Sequence, residues 1–180
     1  MSQTNNIESR ISIQVALSGY SFKIQDNEGE HSSGWLTPDR IFTTPEFQKR
    51  YDAVKISLLT PKVALIPEQF FNPMELRQML GDVVRLEEND TVEFVRIPER
   101  ASALVFSNNV GETLSRMISQ TVFTTDGYQA RILPEMYYIL EALDKCSDYN
   151  KIVASYADGY LHLAVAQGKS LQIANTFRAV

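Results

Sequence analysis

Several features that are common in proteins are scarce or absent in this 180-residue chain, and each absence excludes a class of protein. Cys146 is the single cysteine, so no intrachain disulfide can form, which fits a reducing compartment. The polar start MSQTNNIESR has no apolar signal core, and no stretch approaches the roughly 20 apolar residues of a membrane helix. We therefore predict a cytoplasmic protein with no membrane partner.

Positive charge is also sparse. The formal net charge is −5, and the longest run of basic residues is the pair Lys49-Arg50. A general nucleic-acid binder would normally carry a basic face. The composition therefore predicts that nucleic acid is not a partner.

Residue patterns that carry catalysis are missing as well. His31, predicted in a turn, and His162, predicted on a strand face, have no metal-ligand spacing with each other or with Cys146. No base accompanies Cys146, although a catalytic thiol requires one. Residues 87–90 (EEND) lack the spacing and glycine of a calcium loop and are predicted to be solvated. Since glycine-rich phosphate motifs are absent too, we predict no catalytic residue, no metal site, no cofactor and no enzymatic activity.

A short pattern does occur twice. The first copy, ISIQVALSGYSFK, contains Ser18-Gly19-Tyr20, and the second, IVASYADGYLHLAV, contains Asp158-Gly159-Tyr160. Apolar residues alternate in the runs that flank each turn, which is typical of half-buried strands. Each copy therefore predicts an antiparallel meander of three strands. The third strand of the first meander is expected around Trp35, and those of the second meander at 152–156, 160–166 and 170–177.

Helix and strand signals alternate between the two copies. Proline after a capping residue predicts helices that start at Thr44 and Asn72 and run to residues 51 and 80. Apolar spacing predicts further helices at 110–120 and 134–146. Strands are predicted at 53–59, 62–66, 91–97, 101–106, 121–125 and 128–131. This alternation is typical of an α/β (mixed α+β) chain with a mixed sheet.

Three antiparallel strands followed by helix and strand units, present twice, resemble the actin-like, ribonuclease-H-like architecture. The opening strands 11–25, the segment Leu65-Ile66-Pro67 with Phe70-Phe71, and the closing LQIANTF at 171–177 are similar to an uncharacterised bacterial family of unknown function with that fold. The resemblance implies duplicated lobes. The first would occupy 1–148, with inserted helices and a strand pair, and 149–180 would hold the opening strands of a second, incomplete lobe. Members of such a family would continue beyond Val180.

The resemblance also provides a test for nucleotide binding. Actin-like ATPases place aspartate and glycine in both hairpin turns, where backbone N–H groups hold phosphates and carboxylates position magnesium. Any nucleotide here would lie against Ser18, Gly19, Tyr20, Asp158 and Gly159. The first turn has no aspartate, and Tyr20 and Tyr160 are expected to put bulk where phosphates approach. Plain hairpin turns are the favoured interpretation. Because the first strand, ISIQVAL, has no acid, a two-metal nuclease is disfavoured.

These observations predict a non-catalytic actin-like scaffold that works through protein contacts. The second meander should expose strand edges and an apolar sheet face. A further segment, a second copy of the chain or another protein would cover them. The alternative is a diverged ATP-binding protein of the actin-like type.

Overall fold

The computed structural model describes residues 8–109 and 112–179. The chain folds as two compact units, each made from two stretches of sequence. Unit 1 contains Met1–Leu58 and Gly111–Ile132, and unit 2 contains Leu59–Val110 and Leu133–Val180. The boundary between residues 148 and 149 was predicted for the lobes of a duplicated fold and not for compact units, and it stays a prediction.

Unit 1 is built on a mixed sheet. The sheet contains β1 (Arg10–Ala16), β2 (Gly19–Asp26), β3 (Gly29–Ser32) and β5 (Ala53–Leu58), and the short strand β4 (Arg50–Tyr51) lies outside it. Strands β1, β2 and β3 form the predicted antiparallel meander, and β5 pairs with β1 in parallel. The third strand differs from the prediction because β3 ends at Ser32. The segment near Trp35 contributes only a bridge between Leu36 and Tyr20.

The core of unit 1 lies on one face of this sheet. Alternation buries Ile11, Ile13 and Val15 of β1, and β2 adds three buried side chains to the same cluster. Helix α2 (Glu112–Thr121) packs against it through Leu114 and Ile118. The 3₁₀ helices Pro38–Thr43 and Pro45–Gln48 add Ile41 and Phe47.

The helix predicted to start at Thr44 is only the short 3₁₀ turn Pro45–Gln48. Thr44 makes no capping hydrogen bond, because its hydroxyl donates to the carbonyl of Arg40 at 2.8 Å. Its oxygen also lies 2.8 Å from the hydroxyl of Tyr20. The Thr44 side chain, which the local sequence predicts as a helix cap, is thus used in other contacts, one of them with the distant Tyr20.

Two smaller elements complete unit 1. Strand β9 (Phe123–Thr124) pairs with β4 in parallel, and Phe123 bridges Gln129. The strand pair predicted at 121–125 and 128–131 is therefore reduced to these contacts. The start of the helix predicted at 110–120 falls on residues 110 and 111, outside the described residues. Strand β10 (Ile132–Pro134) begins at the last residue of this unit.

Unit 2 contains two three-stranded antiparallel sheets. The first has β6 (Val63–Pro67), β7 (Val92–Ile97) and β8 (Ser102–Ser107) in the order β6-β8-β7. Helix α1 (Leu76–Gly81) begins later than predicted. The Asn72 side chain accepts a hydrogen bond from the N–H of Met74 at 3.0 Å, so it closes a turn rather than capping a helix.

The second sheet is the predicted second meander. It consists of β11 (Asn150–Ala157), β12 (Tyr160–Gln167) and β13 (Ser170–Arg178), all antiparallel. Helix α3 (Glu135–Lys145) contacts all three strands and buries Met136, Ile139, Leu140 and Leu143. A β-bulge at Gln172 interrupts the register, since Ala166 pairs with Leu171 but Val165 pairs with Ile173.

Candidate interaction surface

The second meander has an apolar face opposite helix α3. The register aligns three rows of side chains across β11, β12 and β13. Eight of these nine positions are apolar, the exception is Asn175, and no position is charged. We call this set the β11–β13 face: Ile152, Val165 and Ile173; Ala154, Leu163 and Asn175; Tyr156, Leu161 and Phe177.

Large side chains of the β11–β13 face are open to solvent. Ile152 is 71% exposed, Tyr156 68%, and Ile173 and Phe177 42% each. The opposite face is covered, because His162, Ala164 and Ala166 of β12 are buried on the α3 side. A contiguous apolar patch of this kind is uncommon on a monomer and is typical of an interaction site.

The two hairpins give a structural reference for comparing the meanders. In unit 1 the last pair before the turn is Ala16–Gly19, so the turn residues are 17 and 18. In unit 2 the last pair is Ala157–Tyr160, so the turn is Asp158-Gly159. Gly19 is therefore equivalent to Tyr160, and the glycines of the sequence repeat are offset by one residue.

Counting from the turns gives the equivalence of the two faces. The buried rows of unit 1 pair Ile11 with Ile24, Ile13 with Phe22, and Val15 with Tyr20. The corresponding rows of unit 2 pair Ile152 with Val165, Ala154 with Leu163, and Tyr156 with Leu161. The unit 1 side chains are all at most 5% exposed. The β11–β13 face is thus the counterpart of a core face, left largely uncovered.

The first hairpin is closed by the chain itself. The N–H of Tyr20 donates to the carbonyl of Leu36 at 2.9 Å, so this backbone donor is already paired. A Cβ atom at Gly19 would lie 2.1 Å from the same carbonyl oxygen. The close approach of the Leu36 backbone is therefore sufficient to explain why residue 19 is glycine, and no phosphate contact is needed.

Tyr20 does not put bulk above the turn, which corrects the sequence prediction. Its side chain is 0% exposed and lies in the unit 1 core, with its ring centroid 5.3 Å from that of Phe47. Burial raises the pKa of its hydroxyl above the ordinary value, although the hydrogen bond with Thr44 opposes the shift. Tyr20 is a core residue.

The second hairpin has the geometry of a tight turn. Asp158 has φ 50° and Gly159 has φ 78°, as a two-residue turn of type I′ requires. The carbonyl of Gly159 accepts a hydrogen bond from the N–H of Ala179 at 2.9 Å. No atom lies within 4 Å of a Cβ built at Gly159. Backbone conformation is therefore sufficient to explain this glycine, and nucleotide contacts by Ser18, Gly19, Tyr20, Asp158 and Gly159 stay a prediction.

The histidines and Cys146 do not form a reactive cluster. His31 lies in strand β3 rather than in a turn, and the thiol of Cys146 is 3.6 Å from a carboxylate oxygen of Asp148. Among the described residues, no group of three or more His, Cys, Asp or Glu side chains is placed to hold a metal ion.

His162 lies on the α3 side of β12 and is 0% exposed. Its Nδ1 is 3.0 Å from the hydroxyl oxygen of Thr176, and its buried Nε2 has no hydrogen-bond partner among the described residues. Burial lowers the pKa of His162 below the ordinary value, while the nearby Glu135 opposes that shift. Burial of this side chain therefore favours the neutral imidazole over the charged one.

Asp90 belongs to a buried polar network and not to a solvated loop, so the prediction for this residue was wrong. Its carboxylate accepts hydrogen bonds from Lys62 Nζ at 2.6 Å, Ser107 Oγ at 2.5 Å and the N–H of Glu87 at 2.5 Å. Its side chain is 1% exposed. The network ties the loop before β7 to the end of β8, which is a structural role.

Unit 2 also has an open cavity of about 490 Å³ with mixed charge. Arg100, Lys151, Lys169, Glu99 and Asp144 line it. Nη2 of Arg100 donates to Asp144 at 2.5 Å, so one of the three cationic side chains that line the cavity is already paired with an acid. Among the described residues, no histidine or cysteine lines this cavity, and the hydroxyl of Ser102 donates a hydrogen bond to the carbonyl of Arg100 at 2.8 Å rather than to a base.

The class of this protein is the actin-like fold, which a similar solved structure shows. A crystal structure from Bacteroides thetaiotaomicron, described as a protein with actin-like ATPase fold and unknown function, is similar over 100% of this chain and 74% of its own, with a TM-score of 0.65 and 14% identity. The cytoplasmic domain of EpsL, an inner membrane component of the type II secretion system of Vibrio cholerae, is similar over 94% of this chain and 70% of its own, with a TM-score of 0.51 and 11% identity.

The chain belongs to the family described as "Protein of unknown function (DUF3822)", which it matches over residues 1–179. This confirms the family resemblance predicted from the sequence. No protein with a curated description matches the chain. In the described part of the chain, no helix combines the length and apolar character needed to cross a bilayer.

Proposed function

We propose that this protein is a non-catalytic actin-like scaffold that acts in the cytoplasm by binding protein through the β11–β13 face. The observation that carries the proposal is the exposure of Ile152 and Tyr156 on a face whose counterpart in unit 1 is a core. Apolar area of this kind gains free energy when another surface removes it from water.

The lobe assignment supports this function. We assign residues 1–148 to the first lobe and 149–180 to the opening strands of a second lobe. The equivalence of the hairpins supports that division, because β11 and β12 repeat the pairing of β1 and β2. In unit 1 the parallel strand β5 pairs with β1, whereas within the described residues β11 pairs only with β12. The second lobe therefore offers a partner both the β11–β13 face and the outer edge of β11.

The hairpin turns support a non-catalytic role. The Tyr20 N–H is paired with Leu36, and the first turn has no carboxylate for a metal. The comparison with EpsL adds one point, because a similar fold occurs in a component of a secretion system. Contacts within an assembly are a use of this fold that requires no nucleotide chemistry.

Site-specific photo-crosslinking in cells that express the chain tests the proposal. A photoreactive benzoylphenylalanine replaces Tyr156, and a matched control replaces Tyr128 of unit 1, which is 73% exposed against 68% for Tyr156. We expect protein adducts from position 156 and none from position 128. Calorimetry with Mg·ATP should give no heat of binding. Equal labelling at both positions, or saturable heat, would contradict the proposal.

A further inference from the structure

The proposed function requires a partner for the β11–β13 face, and the inference of that partner rests on the proposed function. We propose that the face binds the same face of a second copy of this chain, in a two-fold symmetric pair of packed sheets. Four observations lead to this partner: the lack of charge, the exposed area, the arrangement of the rows and the precedent in unit 1.

The absence of charge restricts the partner first. None of the nine positions carries an ionisable group except the phenol of Tyr156, so a charged surface would lose its hydration without gaining an ion pair. The face requires an apolar surface of similar extent. Each further copy of the chain presents such a surface, and a self-complementary patch is the requirement of a two-fold interface.

The area is sufficient for a dimer. At about 200 Å² for a fully exposed large side chain, the exposed fractions of Ile152, Tyr156, Ile173 and Phe177 correspond to about 450 Å² of accessible area. The partly exposed Leu161, Leu163 and Val165, with Ala154, raise this to about 600 Å² per copy. Two copies would bury about 1,200 Å², which reaches the lower end of stable protein interfaces.

The rows also suit face-to-face packing. The middle row has the small Ala154 at one edge, between rows that carry Ile152 and Tyr156 on the same strand. Large side chains of one copy can therefore enter the space above Ala154 at the edge of the other. Leu163 lies at the centre of the three-by-three array. A two-fold axis in the plane of the interface passes close to this residue whether the axis runs along the strands or across them.

Unit 1 provides the precedent for covering this face. There the equivalent rows are covered by α2 and the 3₁₀ segments, and Ile13, the counterpart of Ala154, is 1% exposed. In unit 1, this side of the meander is thus covered by an apolar layer. In the pair we propose, a second sheet supplies that layer.

Sedimentation equilibrium over a micromolar concentration series tests the proposal. We expect the full chain to dimerise, and Ile152→Lys to weaken the dimer by at least about tenfold. Leu17→Lys is the matched control, because Leu17 is 73% exposed against 71% for Ile152 and lies in unit 1. Leu163→Cys in a Cys146→Ser background should give a dimer crosslinked by a short bis-maleimide, because packed sheets lie about 10 Å apart, too far for a direct disulfide. This crosslink reports on the centre of the face.

The remaining outcomes separate this inference from the proposed function. A dimer that persists in Ile152→Lys overturns the inference, because it would use a strand edge or another surface. A monomer whose binding of a hydrophobic dye is lost in Ile152→Lys overturns the second copy as occupant and leaves the face free for another protein. A monomer with the same dye signal in wild type, Ile152→Lys and Leu17→Lys overturns both.

Discussion

Asp90→Ala should destabilise the protein strongly, although the residue lies in an acidic stretch that the sequence marks as solvated. The carboxylate receives three hydrogen bonds, from Lys62, Ser107 and the backbone of Glu87, at 2.5–2.6 Å. Alanine removes the acceptor and leaves all three donors in place. The Ser107 residue is 0% exposed, so water cannot easily replace the lost partner.

The magnitude follows from what each donor can do afterwards. Removing one partner of a fully buried ion pair costs about 3–5 kcal/mol. The Lys62 side chain is 22% exposed and can turn towards water, which reduces that cost. The hydroxyl of Ser107 and the N–H of Glu87 lose a charged acceptor, at about 1–3 kcal/mol for an unsatisfied buried group. We expect a total loss of about 2–4 kcal/mol in the free energy of unfolding.

Urea unfolding at neutral pH measures this loss, with Glu88→Ala as the control. Glu88 is exposed in the same loop and should change the stability by less than about 0.5 kcal/mol. Similar losses in the two variants, or a loss below about 1 kcal/mol for Asp90→Ala, would refute a structural role for the network.

The dependence on pH gives a second readout for Asp90. Burial alone would raise the pKa of its carboxyl, but the hydrogen bonds from Lys62, Ser107 and the Glu87 N–H outweigh it and hold the pKa below the ordinary value. The unfolded chain therefore binds a proton at higher pH than the folded chain. The stabilisation is complete above the ordinary pKa of aspartate and is lost as the pH falls through the lowered value. Asp90→Ala should remove this component of acid sensitivity.

Two further predictions concern His162 and the hairpin glycines. Because burial lowers the pKa of His162, the wild type should lose stability as the pH falls from the ordinary histidine value through the lowered one, and His162→Gln should lose less over that range in urea titrations. Gly19→Ala should destabilise more than Gly159→Ala in the same assay, because only the first adds a Cβ 2.1 Å from a backbone oxygen, while the second meets open space and costs about 1 kcal/mol for its positive φ. If Gly19 were needed for contact with a phosphate and not for the close approach of Leu36, Gly19→Ala should instead cost less stability than Gly159→Ala in the absence of ligand.

Both meanders could be predicted from the sequence because their signal is local. Alternation of apolar residues in Ile11, Ile13 and Val15 depends only on the two-residue period of a strand. Helix α3 has the same kind of signal, with apolar side chains at helical spacing and all of them buried. The family resemblance and the actin-like fold, which these segments carry, are confirmed by the comparisons.

The failed predictions involve residues whose partners are distant in sequence. Thr44 and Asn72 carry the signal of a helix cap, yet Thr44 bonds Arg40 and Tyr20, and Asn72 closes a turn. Asp90 is buried by Lys62, which lies 28 residues away in the chain. Local patterns contain no information about such contacts.

The candidate surface could be predicted only in outline. The sequence predicts an apolar sheet face on the second meander, but which residues share it depends on the strand register. Aligning the repeat by its glycines would equate Phe22 with His162, whereas the hairpins equate Phe22 with Leu163. A shift of one residue exchanges the two faces of a strand, so an alignment by the glycines would give the wrong side.

The bulge at Gln172 has a consequence for how this protein could change. If the same residues continued from Leu171 without a bulge, Gln172 would pair with Val165, so Ile173 and Phe177 would turn towards α3 and Thr176 would turn outwards. Ile173, Asn175 and Phe177 share the open face only because this one residue is accommodated in the strand. Because the bulge absorbs Gln172, loss of its codon would leave Leu171 opposite Ala166 and Ile173 opposite Val165, with the same side chains on the open face. The strand can therefore lose or regain this one residue without changing which side chains form the surface.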